Sequence, residues 1–136
     1  MILTRTPFRV TLGGGGTDLS SYYSKYGGFI FSFTLDKYMY ITLKKAFADD
    51  LIRVKYSESE TVEKIDDLKH EIARACLKKN GFSKGIEIAS MADIPSGSGL
   101  GSSSTYTVGL LSALHNLKRD FISVQDLAEE ACEVEI

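Results

Sequence analysis

Five segments of the chain have the pattern of β-strands, because apolar and polar residues alternate there or because aromatic and β-branched residues are concentrated. They lie at residues 2–12, 29–33, 38–44, 52–57 and 85–91. Pro7 favours an edge position or an irregularity in the first strand, since proline has no N–H to give to a second neighbour. Asp36 marks a predicted turn between the second and third strands, and the polar segment 58–64 is predicted as an exposed linker.

Four further segments repeat apolar residues at helical spacing. They lie at residues 17–26, 66–79, 102–119 and 123–136. Thr17 or Asp18 is predicted to cap the first helix, and Ser123 with Asp126 has the arrangement of a capping box before the last one. The last pattern reaches Ile136 without a stop signal, so we expect the chain to be a piece of a larger protein or one half of a two-chain protein.

Composition excludes several classes of protein. The chain has 136 residues, of which 43% are hydrophobic and 25% charged, as in a globular domain with one core. Its net charge is −2 and its basic residues are scattered, so no nucleic-acid partner is expected. No apolar run approaches a membrane span, and Met1 leads into a strand without a signal-peptide pattern. We therefore expect a cytoplasmic protein without a membrane partner.

The cysteines and histidines do not have the spacing of a metal site. Cys76 and Cys132 each fall on the apolar side of a predicted helix, which favours buried, reduced thiols over a disulfide. His70 and His115 have no partners at metal-ligand spacing and are predicted to be surface or rim residues.

A loop rich in glycine and serine joins the strand at 85–91 to the helix that follows it. Its residues are Pro95, Ser96, Gly97, Ser98, Gly99, Leu100, Gly101, Ser102, Ser103 and Ser104. Glycines at alternate positions let backbone N–H groups approach a ligand closely. The N-terminus of a helix adds unpaired N–H donors and the positive end of the helix dipole. The loop is therefore predicted to hold the phosphates of a nucleotide.

Two better-known phosphate motifs fit this loop less well. A Walker A loop needs a lysine before its serine or threonine, and this loop contains none. A Rossmann fingerprint matches at Gly97 and Gly99, with Asp120 at a suitable distance for a ribose contact, but its third glycine is Ser102 here. That fingerprint also follows the first strand of its fold, whereas this loop follows several strands. A turn that binds no ligand is the remaining alternative.

A second glycine cluster, residues 13–16, precedes Thr17 and Asp18. Each glycine in ordered structure costs roughly 0.5–1 kcal/mol, so four in a row need a compensating function. One such function is a loop on which a substrate lies against the backbone while Asp18 accepts hydrogen bonds from its hydroxyls. The alternative is a tight turn in which Asp18 only caps a helix.

Together the two clusters resemble motifs of the GHMP kinases, the family of galactokinase, homoserine kinase, mevalonate kinase and phosphomevalonate kinase. Residues 5–18 are similar to the first motif, and residues 95–104 are similar to the ATP loop with its Gly-Leu-Gly-Ser-Ser core. The run Gly-Gly-Gly-Gly-Thr-Asp most resembles the kinases of D-glycero-D-manno-heptose 7-phosphate and the fucose kinases. Gly15 and Gly16 replace the Glu-His pair of galactokinases, which argues against galactose as the substrate.

The resemblance implies an α+β fold like the second domain of ribosomal protein S5, with a left-handed βαβ crossover. It identifies residues 1–136 as the N-terminal, ATP-binding domain of such a kinase, ending before the segment that carries the catalytic aspartate and before the C-terminal domain. The catalytic base is then not in this chain, and a C-terminal half or a homodimer is the expected macromolecular partner.

The resemblance also implies roles for single residues. Backbone amides of the loop hold the ATP phosphates, while Ser103 and Glu135 hold Mg²⁺, with Glu133 as the competing carboxylate. Arg9 stabilises the transferring phosphoryl group, unless it is merely an arginine paired at a strand edge. The implied substrate-binding residues are Gly15, Gly16, Thr17 and Asp18.

The expected reaction is in-line transfer of the γ-phosphoryl group of ATP to a hydroxyl of a sugar or sugar phosphate, with a heptose 7-phosphate as the first candidate. One alternative is a non-catalytic sensor of nucleotide or sugar built on the same fold. Another is a different small-molecule kinase of the family.

Overall fold

A computed structural model describes residues 1–135. The strands are β1 (Ile2–Gly13), β2 (Phe31–Lys45), β3 (Ile52–Lys55), β4 (Ser59–Val62) and β5 (Ile86–Ala92), and the helices are α1 (Ser20–Tyr26), α2 (Glu71–Lys79), α3 (Ser102–Lys118) and α4 (Val124–Glu135). The strands form one sheet in the order β1-β2-β5-β3-β4. The fold is α+β, as the sequence predicts, and Ile136, the last residue of the fourth predicted helix, lies outside the described residues.

Neighbouring strands of the sheet are antiparallel, apart from β3 and β5, which are parallel. The chain passes from β3 to β5 through β4 and α2, so this connection is the crossover that the family resemblance implies. A dinucleotide-binding fold has a sheet of parallel strands. The mixed sheet within residues 1–135 therefore excludes the Rossmann interpretation.

The core lies between the sheet and the helices. Helix α3 packs against β1 and β2, and α2 and α4 pack against α3. The second half of β2 and strands β3 and β5 bury alternate residues, as their alternation predicts, and each such side chain stabilises the fold by about 1.5–3 kcal/mol. The largest fully buried side chains include Phe8, Ile41, Leu43, Ile52, Val54, Ile86, Ile88, Leu77, Leu110, Leu111 and Leu114.

The predicted turn at Asp36 is wrong, because β2 continues through this position. The pairing of β1 with β2 instead changes register here: Pro7 pairs with Tyr38, whereas Arg9 pairs with Thr34. The residues between Thr34 and Tyr38 form a bulge, which accommodates a polar residue without ending the strand. The predicted edge position of β1 is confirmed.

The segment 58–64 is not only a linker, because it contains the edge strand β4, whose backbone pairs with β3.

Helix α1 begins at Ser20 rather than at Thr17 or Asp18, because the Thr17 hydroxyl bonds to backbone groups of the preceding turn. Helix α2 begins at Glu71 rather than near residue 66, and a short 3₁₀ turn precedes it. Ser123 caps α4 as predicted, because its hydroxyl accepts the Asp126 N–H; the Asp126 carboxylate bonds to the Ser123 hydroxyl, so this is half of the predicted capping box.

Two predictions on cysteine and histidine burial are wrong. Cys76 is buried as predicted, and desolvation raises the pKa of its thiol to about 12, but Cys132 is exposed. His115 is buried rather than superficial, because carboxylates lie at both ring nitrogens: Glu130 at 2.7 Å from Nε2 and Asp120 at 3.3 Å from Nδ1. Glu130 lies on the neighbouring helix α4, and the pattern of residues around His115 does not reveal such a partner.

None of the helices within residues 1–135 has both the length and the apolar character needed to cross a membrane.

Gly109 sets the distance between α3 and the sheet. A Cβ at this residue would lie 2.8 Å from Thr6 Oγ1 and 3.2 Å from Ile41 Cδ1, and the Gly109 carbonyl accepts a hydrogen bond of 3.0 Å from Thr4 Oγ1. We expect Gly109→Val to lower the free energy of unfolding by about 1–3 kcal/mol, because the helix must move away from β1. Urea unfolding measures the change. Ser112→Val on the same helix is the control, and an equal loss there would contradict this explanation.

Candidate functional site

The glycine- and serine-rich loop lies between the end of β5 and the start of α3. Its glycines Gly97, Gly99 and Gly101 have φ angles of 78°, 75° and 76°, which strongly favour glycine. The first N–H of α3 that bonds within the helix is that of Thr105, to the Gly101 carbonyl. The N–H groups of residues 102–104 precede it and are free for an external acceptor. Free N–H groups at a helix N-terminus are suited to an anion.

Arg9 lies directly against this loop. A Cβ at Gly101 would lie 3.1 Å from Arg9 Cζ, so the guanidinium fills the space beside that glycine. The backbone N–H of Arg9 donates to the Leu100 carbonyl at 3.4 Å, and its side-chain Nη1 donates to Thr11 Oγ1 at 3.1 Å. Strand β1 therefore brings a cation to the loop.

Ser103 and Glu135, the two predicted Mg²⁺ ligands, are also neighbours. Ser103 Oγ lies 3.5 Å from Glu135 Oε2. Thr107 Oγ1 lies 2.9 Å from Glu135 Oε1 and 2.8 Å from the Ser103 carbonyl oxygen. Glu133, the competing carboxylate, pairs with Lys79 instead. Thr107 is not among the site residues predicted from the sequence, although its position one helical turn after Ser103 is a usable signal.

The residues present fit a magnesium ion that is shared with a nucleotide. Hydroxyl and carboxylate oxygens are its preferred ligands, and Mg²⁺ is commonly held by one or two carboxylates plus substrate phosphates. Within residues 1–135 no three His, Cys, Asp or Glu side chains gather closely enough to hold a metal by themselves. Phosphate oxygens would therefore have to supply part of the ligand set.

A cavity of about 420 Å³ beside Ser103 and Glu135 and a larger one of about 940 Å³ beside the loop are the main concave surfaces here. The larger cavity is lined by Arg9, the loop and an aromatic group. His70 stacks on Tyr106 with ring centroids 4.7 Å apart, and the Tyr56 ring meets His70 edge-on at 4.6 Å.

Two hydroxyls at this larger cavity have no hydrogen-bond partner within the described part of the chain. They are Ser102 Oγ and Tyr106 Oη, and both are buried. Burial also raises the pKa of Tyr106, so its hydroxyl keeps its proton. Buried polar groups are usually satisfied, so two orphans at one cavity indicate a site for a polar ligand.

The second glycine cluster forms a tight turn at the far end of β1. Gly14 has a φ of 86°, and a Cβ there would lie 1.9 Å from the Phe29 carbonyl oxygen. Thr17 Oγ1 accepts from the Phe29 N–H and donates to the Gly14 carbonyl at 2.7 Å. The Thr17 hydroxyl is thus engaged in holding the turn, whereas Gly15, Gly16 and Asp18 are exposed.

Asp18 does not cap α1. The N-cap of α1 is Leu19, and it makes no side-chain capping bond. Among residues 1–135 the Asp18 carboxylate has no hydrogen bond or ion pair. Thr11 connects this turn to the loop: its Oγ1 accepts from Arg9, and its methyl group would be 3.9 Å from a Cβ at Gly15. Arg9 therefore lies between the phosphate loop and the glycine turn.

The model of the GHMP kinases N-terminal domain matches residues 67–136, slightly more than half of the chain. The chain belongs to the GHMP kinase family. A D-glycero-alpha-D-manno-heptose 7-phosphate kinase of Campylobacter jejuni is 33% identical over 145 residues, which cover 98% of this chain and 43% of that protein.

Solved structures of GHMP kinases agree with this assignment. A D-glycero-D-manno-heptose 1-phosphate kinase from Bacteroides thetaiotaomicron is 25% identical with a TM-score of 0.86, over 99% of this chain and 48% of its own. The mevalonate kinase of Methanococcus jannaschii shares the fold. It is 20% identical with a TM-score of 0.75, over 98% of this chain and 45% of its own. This GHMP kinase chain spans less than half the length of the relatives it matches.

His70 makes the stability of this GHMP kinase domain depend on pH. Its Nδ1 accepts the Ala73 N–H at 3.2 Å as the N-cap of α2, which requires the neutral ring. Desolvation lowers the pKa of His70 below its ordinary 6.5, against the opposing charge of Glu60. The neutral ring is thus favoured in the folded state. Its contribution to the free energy of unfolding is complete above pH 6.5 and is lost as pH falls through the lowered pKa.

We therefore expect the free energy of unfolding of the natural chain to fall as pH is lowered from about 7 to about 5. The fall should be less steep in His70→Asn, because asparagine keeps a capping side chain but does not titrate. Urea unfolding at several pH values measures the difference. A difference between the two proteins that stays constant over this range would contradict the titration of His70 as its cause.

Proposed function

We propose that this chain is the ATP-binding part of a sugar kinase, and that the kinase transfers the γ-phosphoryl group of ATP to a hydroxyl of a sugar or sugar phosphate. The observation that carries the proposal is the arrangement around one loop. The Arg9 guanidinium lies against Gly101, and the Ser103–Glu135 pair lies at the start of the helix that the loop begins. A cation, a helix N-terminus and a hydroxyl–carboxylate pair together suit the β- and γ-phosphates of ATP.

In this proposal the chain acts mainly by positioning and by stabilising charge, since phosphoryl transfer asks little covalent chemistry of the protein. Backbone N–H groups of residues 96–103 hold the phosphates. The nucleoside occupies the larger cavity, where Tyr106 and Ser102 present their unpartnered hydroxyls. The guanidinium of Arg9 stabilises negative charge that develops on the transferring phosphoryl group.

Ser103 and Glu135 are the residues that would hold Mg²⁺. When bound, this ion neutralises part of the charge on the phosphates. Thr107 orients the Glu135 carboxylate through its hydroxyl, so it has a supporting role.

The acceptor sugar is assigned to the glycine turn. Gly15 and Gly16 let a sugar approach the backbone, and the Asp18 carboxylate accepts hydrogen bonds from its hydroxyls. Thr17 supports this turn rather than the sugar, since its hydroxyl is used within the turn. A heptose phosphate is the first candidate because the 33%-identical relative is named for heptose 7-phosphate. We assign the catalytic base to a C-terminal half, and the whole kinase to the cytoplasm, where ATP is available.

A chimaera tests this function, in which residues 1–136 replace the matching region of the Campylobacter jejuni relative. We expect ADP release with heptose phosphates to exceed that with fucose or galactose. We also expect ATP, and not NAD, to raise the melting temperature of the natural chain. A folded chimaera that binds ATP but releases no ADP with any sugar would favour a non-catalytic nucleotide sensor. No stabilisation by ATP would overturn the nucleotide site.

Ser103→Ala in the chimaera is expected to weaken the apparent affinity for Mg²⁺ by about tenfold or more, because an oxygen ligand is lost beside Glu135. Turnover should then be low at limiting Mg²⁺ and recover partly as Mg²⁺ is raised. Steady-state rates across a Mg²⁺ titration measure this. Ser112→Ala, on the same helix but away from the loop, is the control. Identical titrations for the two variants would remove Ser103 from the metal site.

Asp18→Asn is expected to raise the KM for the sugar or abolish turnover, while ATP binding stays intact, because an amide cannot accept the same set of hydroxyl hydrogen bonds. Steady-state kinetics and the ATP-induced shift in melting temperature separate the two effects. Asp36→Asn makes the same change of charge on β2 and serves as the control. Equal losses of sugar and ATP affinity would point to misfolding instead of a sugar contact.

A further inference from the structure

A buried polar cluster joins the three helices α2, α3 and α4. It consists of His115 on α3, Glu130 on α4 and Asn80 at the end of α2. The Glu130 carboxylate accepts at one oxygen from His115 Nε2, at 2.7 Å, and at the other from Asn80 Nδ2, at 3.0 Å. The side chains of His115 and Glu130 are only 11% and 12% exposed. A buried cluster whose members are paired with one another holds the elements that carry them in one arrangement.

We propose that His115 is a positioning residue for the Mg²⁺ site, because it holds α4 in the place where Glu135 reaches Ser103. It acts through the Glu130 carboxylate and touches neither ATP nor the metal in the proposed site. The inference rests on the proposed function for the identity of the metal ligands. It adds to that function a residue that lies twelve positions after Ser103, or about 18 Å along the axis of α3.

Apolar packing alone does not fix the end of α4 that carries Glu135. A cavity of about 420 Å³ lies at this end, and its lining includes Val134 and Glu135 of α4 together with Ile72 and Ala75 of α2. Side chains therefore do not fill the space between the two helices here. Ala131 is buried, but it precedes Glu135 by about one helical turn. A further contact is needed to hold this end of the helix.

An ion pair at the surface does not supply that contact. Lys79 pairs with Glu133, but the two side chains are 38% and 67% exposed. Exposed pairs contribute little, because water competes for the charges and long side chains lose conformational freedom. Glu130 is bound on two sides by largely buried groups instead, and it lies five positions before Glu135, about 7.5 Å along the helix. Glu130 is therefore the polar anchor of this part of α4.

Helix α3 carries both the residue that holds Glu130 and the residues that meet Glu135. His115 binds Glu130, while Thr107 donates to Glu135 Oε1 at 2.9 Å and Ser103 Oγ lies 3.5 Å from Glu135 Oε2. Because a helix is stiff over five residues, loss of the contact at His115 lets Glu135 move relative to Ser103. Mg²⁺ demands nearly ideal octahedral geometry, so such a displacement weakens its binding.

The His115 ring is itself held in one orientation. The Asp120 carboxylate lies 3.3 Å from Nδ1, and the Asp120 N–H donates to the His115 carbonyl at 3.0 Å. The ring thus presents Nε2 to Glu130 from a fixed place. A hydrogen bond depends on direction as well as on distance, so this contact restricts α4 more closely than an apolar contact of the same size would.

Three variants of α3 test the proposal in the natural chain. His115→Ala removes the bond to Glu130, whereas His115→Gln keeps an amide donor close to the position of Nε2. Asn116→Ala truncates the exposed neighbour on the same helix and is the control. Calorimetry measures the affinity for ATP in EDTA and in excess Mg²⁺, and the ratio of the two affinities is the gain from Mg²⁺.

We expect this gain to fall by about threefold or more in His115→Ala, because weaker support of a metal ligand weakens metal binding. It should stay close to that of the natural chain in His115→Gln and Asn116→Ala. The affinity in EDTA should be the same in all four proteins, since the phosphate loop is unchanged. Hydrogen exchange of the amides of residues 131–135, measured without ATP or metal, should be faster in His115→Ala than in Asn116→Ala.

Equal gains from Mg²⁺ in folded His115→Ala and Asn116→Ala would overturn the proposal, even if His115→Ala is less stable. Equal exchange rates in the two variants would also overturn it. So would a loss of ATP affinity by the same factor with and without Mg²⁺, because the change would then lie outside the metal site. If His115→Ala does not fold, Asn80→Ala takes its place with the same expectations, because it removes the other bond to Glu130.

Failure of the proposed function would give a different set of results. If the natural chain binds no ATP in either condition, the nucleotide site is overturned, and the exchange rates alone decide whether His115 holds α4. If the natural chain binds ATP but gains nothing from Mg²⁺, the Mg²⁺ site and the positioning role of His115 are both overturned.

Discussion

The contact between the Arg9 side chain and the backbone of Gly101 is the constraint on which the candidate site depends. A Cβ at residue 101 would lie 3.1 Å from Arg9 Cζ, closer than ordinary contact, and the φ of 76° also favours glycine at this position. The Arg9 N–H also reaches the Leu100 carbonyl, so main chain and side chain both hold the loop. Two motifs far apart in sequence thereby become one surface, with a cation beside the free N–H groups of α3.

The place of Glu135 depends on polar contacts in addition to apolar packing. Helix α4 buries Ala131 and packs the half-buried Leu127 and Val134 against the core. Its Glu130 carboxylate lies 2.7 Å from His115 Nε2 and accepts from Asn80 Nδ2 at 3.0 Å, which ties α4 to both α3 and α2. Because these groups are largely buried, removing one partner leaves the others unsatisfied, at a cost of about 1–3 kcal/mol. The network therefore fixes the helix that brings Glu135 to Ser103.

Structural features can be predicted from the sequence where they depend on local backbone chemistry or on apolar residues that repeat at strand or helix spacing. The buried strands, helix α3 and the phosphate loop follow from these signals, and the nearness of Arg9 and Glu135 to the loop follows only from the resemblance of whole motifs. Two of the errors, at Asp36 and His115, have a common cause, which is a partner from another element. Asp36 lies in a strand because β1 absorbs it in a bulge, and His115 is buried because α4 supplies its carboxylate. The roles of the site residues stay predictions.

The two ends of the proposed site differ in how they are held. The phosphate loop lies on α3 and β1, whose contact is fully packed at Gly109, so the nucleotide end is preorganised within this chain. The glycine turn is held by the Thr17 hydroxyl and the backbone of Phe29, and none of residues 12–37 around it is buried. The two ends of the proposed site therefore differ in local stability, because only the phosphate loop rests on a packed part of the core.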